Sequence, residues 1–254
     1  MKEYVDQKYL ALLELYHLHT FEALWSLELD SVDNPNRDRG GWSSVCRLTL
    51  TDKNGVDEAF FIKRQCNHLS RTWRHPWGEP TFAREFQNIE IYWRLGLPTL
   101  DVVYFAWRRT REGPTAILVT RALNEYQPLS ELCNFWENLT EEDRRFILTN
   151  VGSLIGKLHQ QRLTHHCLYP NHIFVGLARQ IPIRFIDLEK ARFQWLRKRE
   201  AISDMESFLR RIRTWSLEEK YLMMQYYLLA NPIFSSPEEF SNLLELRRLD
   251  KAAR

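Results

Sequence analysis

The chain has 254 residues, of which 44% are hydrophobic and 27% are charged, and its formal net charge is +2. These proportions are typical of a folded globular protein and exclude intrinsic disorder, and so small a net charge does not indicate a nucleic-acid-binding protein. The first residues lack the features of a signal peptide, and no stretch approaches the roughly 18 apolar residues of a membrane span, so we expect a cytoplasmic protein. The four cysteines form no C-x-x-C pair, so we expect reduced thiols.

The first half of the chain predicts an antiparallel sheet and one helix. Residues 1–20 fit a short amphipathic helix or an irregular lead-in, and strands are predicted at 21–29, 45–50, 57–65, 98–109 and 113–123. An Asn-Gly pair within 51–55 predicts a hairpin turn. Apolar residues at 82, 86, 89 and 93 recur at helical spacing, so a helix is predicted between Thr81 as its N-cap and Gly96 as its C-terminal stop.

The second half predicts mainly helices. Thr140 precedes a run of acidic residues and can cap a long helix, whose apolar positions 147, 151, 154, 155 and 158 fall on one face. Two short strands are predicted at 172–177 and 183–189. Further helices are predicted at 203–215, with Ser203 as a cap, at 216–230 and at 236–248.

This order of elements resembles that of the protein-kinase-like fold, an α+β architecture of two lobes. The N-lobe, an antiparallel sheet with one helix, would hold residues 1–122, and the mainly helical C-lobe would hold residues 123–254. Because the order of elements says little about function, the polar residues at the expected positions must carry the chemistry. In chain order these residues are Gly40, Gly41, Ser43 and Ser44 near the second strand, Lys63 ending the third strand, Glu85 early in the following helix, Asp187 after a short strand, and Asp204 at the head of the next helix.

Three segments then resemble one known family. The stretches "KRQCNHLSRTWRHPWGEPTFAREFQNI" (63–89), "HHCLYPNHIFV" (165–175) and "FIDLEKAR" (185–192) are similar to the lipopolysaccharide kinase family of Kdo and heptose kinases (WaaP-like), and most of all to its InaA-like branch. The resemblance implies a two-lobed kinase fold, ATP and Mg²⁺ as cofactors, and transfer of the γ-phosphoryl group to a sugar hydroxyl of a lipopolysaccharide core or a similar glycolipid. It also implies work at the cytoplasmic face of a Gram-negative inner membrane.

The resemblance assigns roles to the nucleotide-binding residues. Lys63 would bind the α- and β-phosphates, and Glu85 would hold Lys63 in position, with Glu90 as the alternative partner. Asp187 would bind Mg²⁺, which prefers carboxylate and phosphate oxygens, and Glu189 would add a second carboxylate. The remaining cofactor-binding candidates are Gly40 and Gly41, whose backbone can approach a phosphate closely, together with Ser43 and Ser44.

His172 occupies the place where kinases keep a metal-binding asparagine. It could coordinate the metal or bind a phosphate, Asn171 could supply an oxygen in its place, and a structural His172 bonded to the backbone is the alternative. Asp204 would brace the catalytic loop.

Cys167 stands where the resemblance predicts a catalytic aspartate. A thiol with an ordinary pKa of about 8.5 is mostly protonated at neutral pH and is a poor base. Loss of a positioned base costs about 10²–10⁴-fold in rate, and His165 or His166 could act as the base instead. Cys167 could equally be a small buried hydrophobe.

Two basic stretches, 63–78 and 190–199, also contain aromatic residues. They could contact an acidic glycolipid or the anionic inner leaflet, or they could simply be solvated, and nothing predicts a nucleic-acid partner. The candidates for substrate contact are Arg71, Trp73, Arg74, Arg192 and Arg197.

The sequence supports two functions. The first is an ATP-dependent lipopolysaccharide-type kinase, which the Lys63, Glu85 and Asp187 set favours. The alternative is a catalytically impaired pseudokinase that binds nucleotide or a protein partner in a bacterial stress response, which Cys167 favours. A protein kinase is disfavoured because the H-R-D and D-F-G motifs are missing and the helical region after Asp204 is short.

Overall fold

The computed structural model describes residues 2–32, 37, 40–71 and 76–252. The chain forms two compact units, one of residues 1–90 with 100–124 and the other of residues 91–99 with 125–254. Within the described ranges, no helix combines the length and apolar character that crossing a membrane requires.

The first unit is built on a five-stranded sheet in the order β1-β6-β7-β3-β2, in which all neighbours are antiparallel. The strands predicted at 45–50, 57–65, 98–109 and 113–123 are confirmed as β2, β3, β6 and β7. The predicted turn is confirmed as well, because Asp52 accepts hydrogen bonds from the backbone N–H groups of Asn54 and Val56, and Gly55 has a φ of 82°. The elements are β1 (Lys2–Val5), α1 (Gln7–Leu15), α2 (Phe21–Ser26), β2 (Trp42–Thr51), β3 (Asp57–Cys66), β4 (Leu69–Ser70), β5 (Glu79–Pro80), α3 (Thr81–Arg94), β6 (Val102–Thr110) and β7 (Gly113–Arg121).

The strand predicted at 21–29 is wrong, because its first six residues form the helix α2. Thr20 caps this helix by accepting a hydrogen bond from the backbone N–H of Ala23. Phe21 and Leu24, three positions apart, are its buried residues. The fifth strand of the sheet is instead β1, which pairs with β6 at the opposite edge from β2.

The two faces of the sheet are covered by different helices. Phe60 and Ile62 of β3 point to the face where α1 and α2 complete a buried cluster with Leu13 and Leu24. On the other face, α3 packs through Phe86. Because side chains alternate along a strand, Lys63 points to the face that α3 covers.

The second unit is mainly helical. The predicted long helix is confirmed as α5, which Thr140 caps by accepting a hydrogen bond from the backbone N–H of Asp143. Gly152 and Gly156 let α7 approach α5 closely, since a Cβ atom at these positions would lie 2.2 Å from the Met223 carbonyl oxygen and 2.5 Å from the Tyr227 carbonyl oxygen. The elements are β8 (Tyr126–Pro128), α4 (Leu129–Asn134), α5 (Glu141–Gln160), β9 (Leu163–Thr164), β10 (Ile173–Gly176), β11 (Arg184–Phe185), β12 (Arg192–Phe193), α6 (Arg197–Leu209), α7 (Leu217–Ala230) and α8 (Pro237–Ala252).

Ser203 does not cap a helix. The helix α6 begins at Arg197, where the first-turn residue Glu200 accepts a hydrogen bond from the backbone N–H of Leu196. Ser203 therefore lies in the helix interior, and its hydroxyl accepts a hydrogen bond of 2.7 Å from Arg247 of α8. Asp204 is likewise an interior residue of α6 and does not head the helix.

Candidate active site

Lys63 and Glu85 form an ion pair in the first unit. The Lys63 Nζ and Glu85 Oε1 atoms lie 2.7 Å apart, and the two side chains are 19% and 2% exposed. Glu85 is thus the partner that the structure brings to Lys63. A partner charge this well buried fixes the position of the ammonium group.

The start of α3 is fixed by the strand that carries Lys63. Gln65 is fully buried, and its side-chain oxygen accepts hydrogen bonds from the Thr81 hydroxyl (2.9 Å) and from the backbone N–H of Phe82 (2.8 Å). Thr81 was expected as the N-cap, but it is the first residue of the helix and Gln65 satisfies the first-turn N–H. The strand that carries Lys63 and the helix that carries Glu85 are therefore joined by contacts at two points.

The predicted phosphate-binding residues divide between the two faces of the sheet. Val45 is directly opposite Lys63 and Ser44 is opposite Arg64, so alternation places Ser43 on the Lys63 face and Ser44 on the other face. Ser44 lines a cavity of about 630 Å³ beside Arg64 there. Strand register thus places Ser43, and not Ser44, on the face of Lys63, and a role of Ser44 in cofactor binding stays a prediction.

The two glycines have different surroundings. A Cβ atom on Gly41 would lie 2.2 Å from the carbonyl oxygen of Cys66, so a glycine is required for the close approach of β2 to the end of β3. Gly40 has a φ of 76°, and a Cβ atom there would meet nothing within 4 Å. Residues 33–36 and 38–39 lie outside the described residues, so a phosphate loop at this end of β2 stays a prediction.

Asp187 and His172 lie side by side in the second unit. His172 Nε2 is 3.4 Å from Asp187 Oδ2, and the Asp187 side chain is 43% exposed. His172 Nδ1 lies 2.8 Å from the carbonyl oxygen of Cys167 and must donate its proton to it. With Nδ1 donating, the neutral ring presents its Nε2 lone pair beside the Asp187 carboxylate, and these two groups together suit a cation.

The loop that bears Cys167 is anchored by Asp204. Its carboxylate accepts hydrogen bonds from the backbone N–H groups of His165 (2.7 Å) and His166 (3.0 Å). Burial alone would raise the pKa of Asp204, but the hydrogen bond and charge of His159 and the hydrogen bond from His165 hold that pKa below its ordinary value. An ionised Asp204 thus fixes the loop, which is the brace that the sequence predicts.

His165 is fully buried and holds this loop to the segment of Asp187. Its Nε2 atom is 2.9 Å from the carbonyl oxygen of Ile186, directly before Asp187. Burial lowers the pKa of His165, so the ring is neutral and Nε2 donates. A buried donor in this position does not reach a substrate, which argues against His165 as a catalytic base. His166 has a φ of 60° and its side chain is half-buried.

The Cys167 thiol is buried, with 6% of the residue exposed. Burial raises its pKa, the charge of Asp187 adds to that effect, and Lys190 opposes it. The thiol therefore stays protonated at neutral pH and cannot accept a proton from a substrate hydroxyl. Lys190 lies beside this thiol, and sequence reasoning missed it. The signal that could have found Lys190 is its place three residues after Asp187.

The described residues contain no group of three His, Cys, Asp or Glu side chains placed to hold a metal ion. Mg²⁺, however, keeps several waters and is usually bound through one or two carboxylates together with substrate phosphates. Asp187 supplies one carboxylate of that limited donor set, whereas the imidazole of His172 is a poor ligand for Mg²⁺. Glu189 lies in the 3₁₀ turn Leu188–Lys190, and Asn171 is exposed and lines a cavity with Arg211 and Arg213.

The predicted substrate-contact residues that the structure describes differ in exposure. Arg71 and Arg192 are exposed. Burial raises the pKa of Tyr227, and the charge of the half-exposed Arg197 opposes that rise. Arg197 therefore lies close to a buried side chain of the unit and is a poor candidate for substrate contact. Trp73 and Arg74 lie outside the described residues.

Comparisons with known proteins point to one family. The family model described as "Lipopolysaccharide kinase (Kdo/WaaP) family" matches residues 22–227. Protein InaA of Escherichia coli (strain K12) is 29% identical over 189 residues, which cover 72% of this chain and 83% of that relative. The solved structure "WaaP in complex with acyl carrier protein" has a TM-score of 0.68 at 17% identity and covers 99% of both chains. The likeness to WaaP confirms the predicted α+β, protein-kinase-like fold.

Proposed function

The chain belongs to the lipopolysaccharide kinase (Kdo/WaaP) family, and on that premise we propose that it transfers the γ-phosphoryl group of ATP to a sugar hydroxyl of a lipopolysaccharide core or similar glycolipid. The observation that carries this proposal is the buried pair of Lys63 and Glu85, 2.7 Å apart. Phosphoryl transfer needs positioning and charge neutralisation more than covalent chemistry from the protein. A lysine held by a buried carboxylate supplies both.

The other residues take matching roles in this proposal. Lys63 would hold the α- and β-phosphates of ATP, and Asp187 beside His172 would hold Mg²⁺, which would neutralise part of the phosphate charge. Asp204 keeps the Cys167 loop in place. The first unit then acts as the N-lobe and the second as the C-lobe of the kinase.

Cys167 makes this a slow kinase in our proposal. Its thiol stays protonated, so the incoming hydroxyl would lose its proton late, to an oxygen of the transferred phosphoryl group or to water. A loose transition state tolerates that, because little negative charge is needed on the attacking oxygen. Lys190 beside the thiol offers a positive charge to the transferred group instead.

The burial of Cys167 favours one alternative function. A catalytic loop that is braced by Asp204 but lacks a carboxylate at position 167 could belong to a pseudokinase that binds nucleotide and signals through a partner. Such a protein would bind Mg·ATP without turnover, whereas the proposed enzyme consumes ATP when an acceptor is present.

We place the enzyme at the cytoplasmic face of an inner membrane. At the end of β12 and just after it, three apolar side chains are exposed, namely Phe193 (52%), Trp195 (86%) and Leu196 (58%). Arg192 and Lys198 flank them. Aromatic side chains beside cationic ones suit a membrane interface with anionic lipids.

The test of the proposed function is unfolding of the purified protein with and without Mg·ATP. A ligand at 100 times its Kd adds about 2.7 kcal/mol to the free energy of unfolding. We expect this stabilisation in the wild type, its loss in Asp187→Ala, and its retention in Asp250→Ala, which removes an exposed carboxylate on α8. Wild-type protein that shows no stabilisation at millimolar Mg·ATP would overturn the proposal.

A further inference from the structure

A cavity of about 410 Å³ opens beside the loop that follows Cys167. It lies entirely within the second unit, between α4, the 3₁₀ turn Pro170–His172 and the segment after α6. Its polar lining includes Ser130, Asn171 and Thr214 together with two arginines, Arg211 and Arg213. No acidic residue is among the residues that line this cavity. Its wall therefore carries two positive charges that no lining carboxylate balances.

Arg211 is held in place before any ligand arrives. Its Cζ atom lies 3.8 Å from the centre of the Tyr169 ring, and its Nη1 donates a hydrogen bond of 2.8 Å to the carbonyl oxygen of Ser207. The guanidinium group is planar, and stacking on Tyr169 fixes the orientation of its N–H groups, whose geometry matches the oxygens of a phosphate or a carboxylate. Arg213 is exposed at the same cavity.

The cavity adjoins the residues around Asp187. Asn171 lines it, and the next residue, His172, faces Asp187 at 3.4 Å. Consecutive Cα atoms are about 3.8 Å apart, so the cavity begins one residue away from the metal-site candidates. The Tyr169 ring, on which Arg211 stacks, also lies against the His172 ring, with 5.2 Å between the ring centres.

We propose that this cavity binds the anionic group, a phosphate or a carboxylate, of an acidic sugar acceptor. The inference rests on the proposed phosphotransfer function and names the class of its substrate. Arg211 and Arg213 bind the anion, and Ser130, Asn171 and Thr214 offer hydrogen-bond partners to sugar hydroxyls. A neutral sugar lacks the group that both arginines are placed to meet, so the cavity selects charged acceptors.

Calorimetric titration of the full chain with glucose 6-phosphate, glucuronate and glucose tests this inference. We expect one or both anionic sugars to bind and glucose not to bind. The affinities of glucose 6-phosphate and glucuronate show whether the cavity prefers a phosphate or a carboxylate. Arg213→Gln should weaken anion binding about tenfold, because one charge-assisted hydrogen bond is lost. Arg145→Gln, which removes an exposed arginine on α5 outside this cavity, should leave binding unchanged.

Variants of the nucleotide-site candidates separate this inference from the proposed function. Anion binding that survives Lys63→Ala and weakens in Arg213→Gln supports the cavity, even where Mg·ATP does not stabilise the protein. Anion binding that disappears in Lys63→Ala and is unchanged in Arg213→Gln places the anion at the nucleotide site and overturns the inference. Absence of anion binding in a wild-type protein that does bind Mg·ATP overturns the inference alone.

Discussion

The Lys63–Glu85 pair predicts an unequal response to loss of either partner. Lys63→Met removes the cation paired with a carboxylate that is 2% exposed, and breaking a buried pair in this way costs about 3–5 kcal/mol. Glu85→Gln leaves a lysine that is 19% exposed and still reaches water, so we expect a smaller cost of about 1–3 kcal/mol. The free energy of unfolding is measured from urea denaturation of each purified variant.

The double variant Lys63→Met/Glu85→Gln should be more stable than Lys63→Met alone, because it removes the buried charge of Glu85 together with the cation paired with it. The coupling between the two sites should fall at about 0.5–3 kcal/mol. Lys53→Met, at an exposed lysine of the hairpin turn, is the matched control and should change stability by less than about 0.5 kcal/mol. The buried-pair reasoning would be refuted if the stability changes of the two single variants were strictly additive. It would also be refuted if Lys63→Met were as stable as Glu85→Gln or more stable.

Three further predictions concern the second unit. Cys167→Asp should raise acceptor-dependent ATP turnover, by up to about 10²–10⁴-fold if it restores a base, and a folded variant with no gain would show that position 167 is not the base position. Burial lowers the pKa of His165, so as pH falls below about 6.5 the unfolded chain binds a proton at this residue before the folded chain does. The stability of the fold should therefore be complete above that pH and decline below it. That part of the decline should be missing from urea titrations of His165→Asn, and an unchanged pH profile would contradict the assignment. Trp195→Ser combined with Leu196→Ser should reduce sedimentation with vesicles containing anionic lipid, whereas equal sedimentation of the wild type and this variant would argue against a membrane contact through the exposed segment.

Local patterns determined much of the architecture. The Asn-Gly turn depends on residues adjacent in sequence, and so does the Thr140 cap, because a side chain and a nearby backbone N–H decide each structure. The prediction of a strand at 21–29 was wrong for a reason that is also local. A short apolar run fits either a strand or a helix, and the cap supplied by Thr20 decides for the helix. β1 has only four residues and no pattern of its own, so its pairing with β6 alone makes it a strand.

The candidate site shows the same division. The sequence by itself determined the order of the polar residues, and from that order the pairing of Lys63 with Glu85 and the bracing contact of Asp204 could be expected. Only the tertiary structure decided which face of the sheet Ser44 occupies, since that depends on strand register and not on proximity in the chain. The placement of Lys190 beside the Cys167 thiol, and of two arginines around one cavity, also arises only when segments distant in sequence pack together. Burial and the resulting pKa shifts follow from the same packing, because removal of water is a property of the folded chain and not of any residue alone.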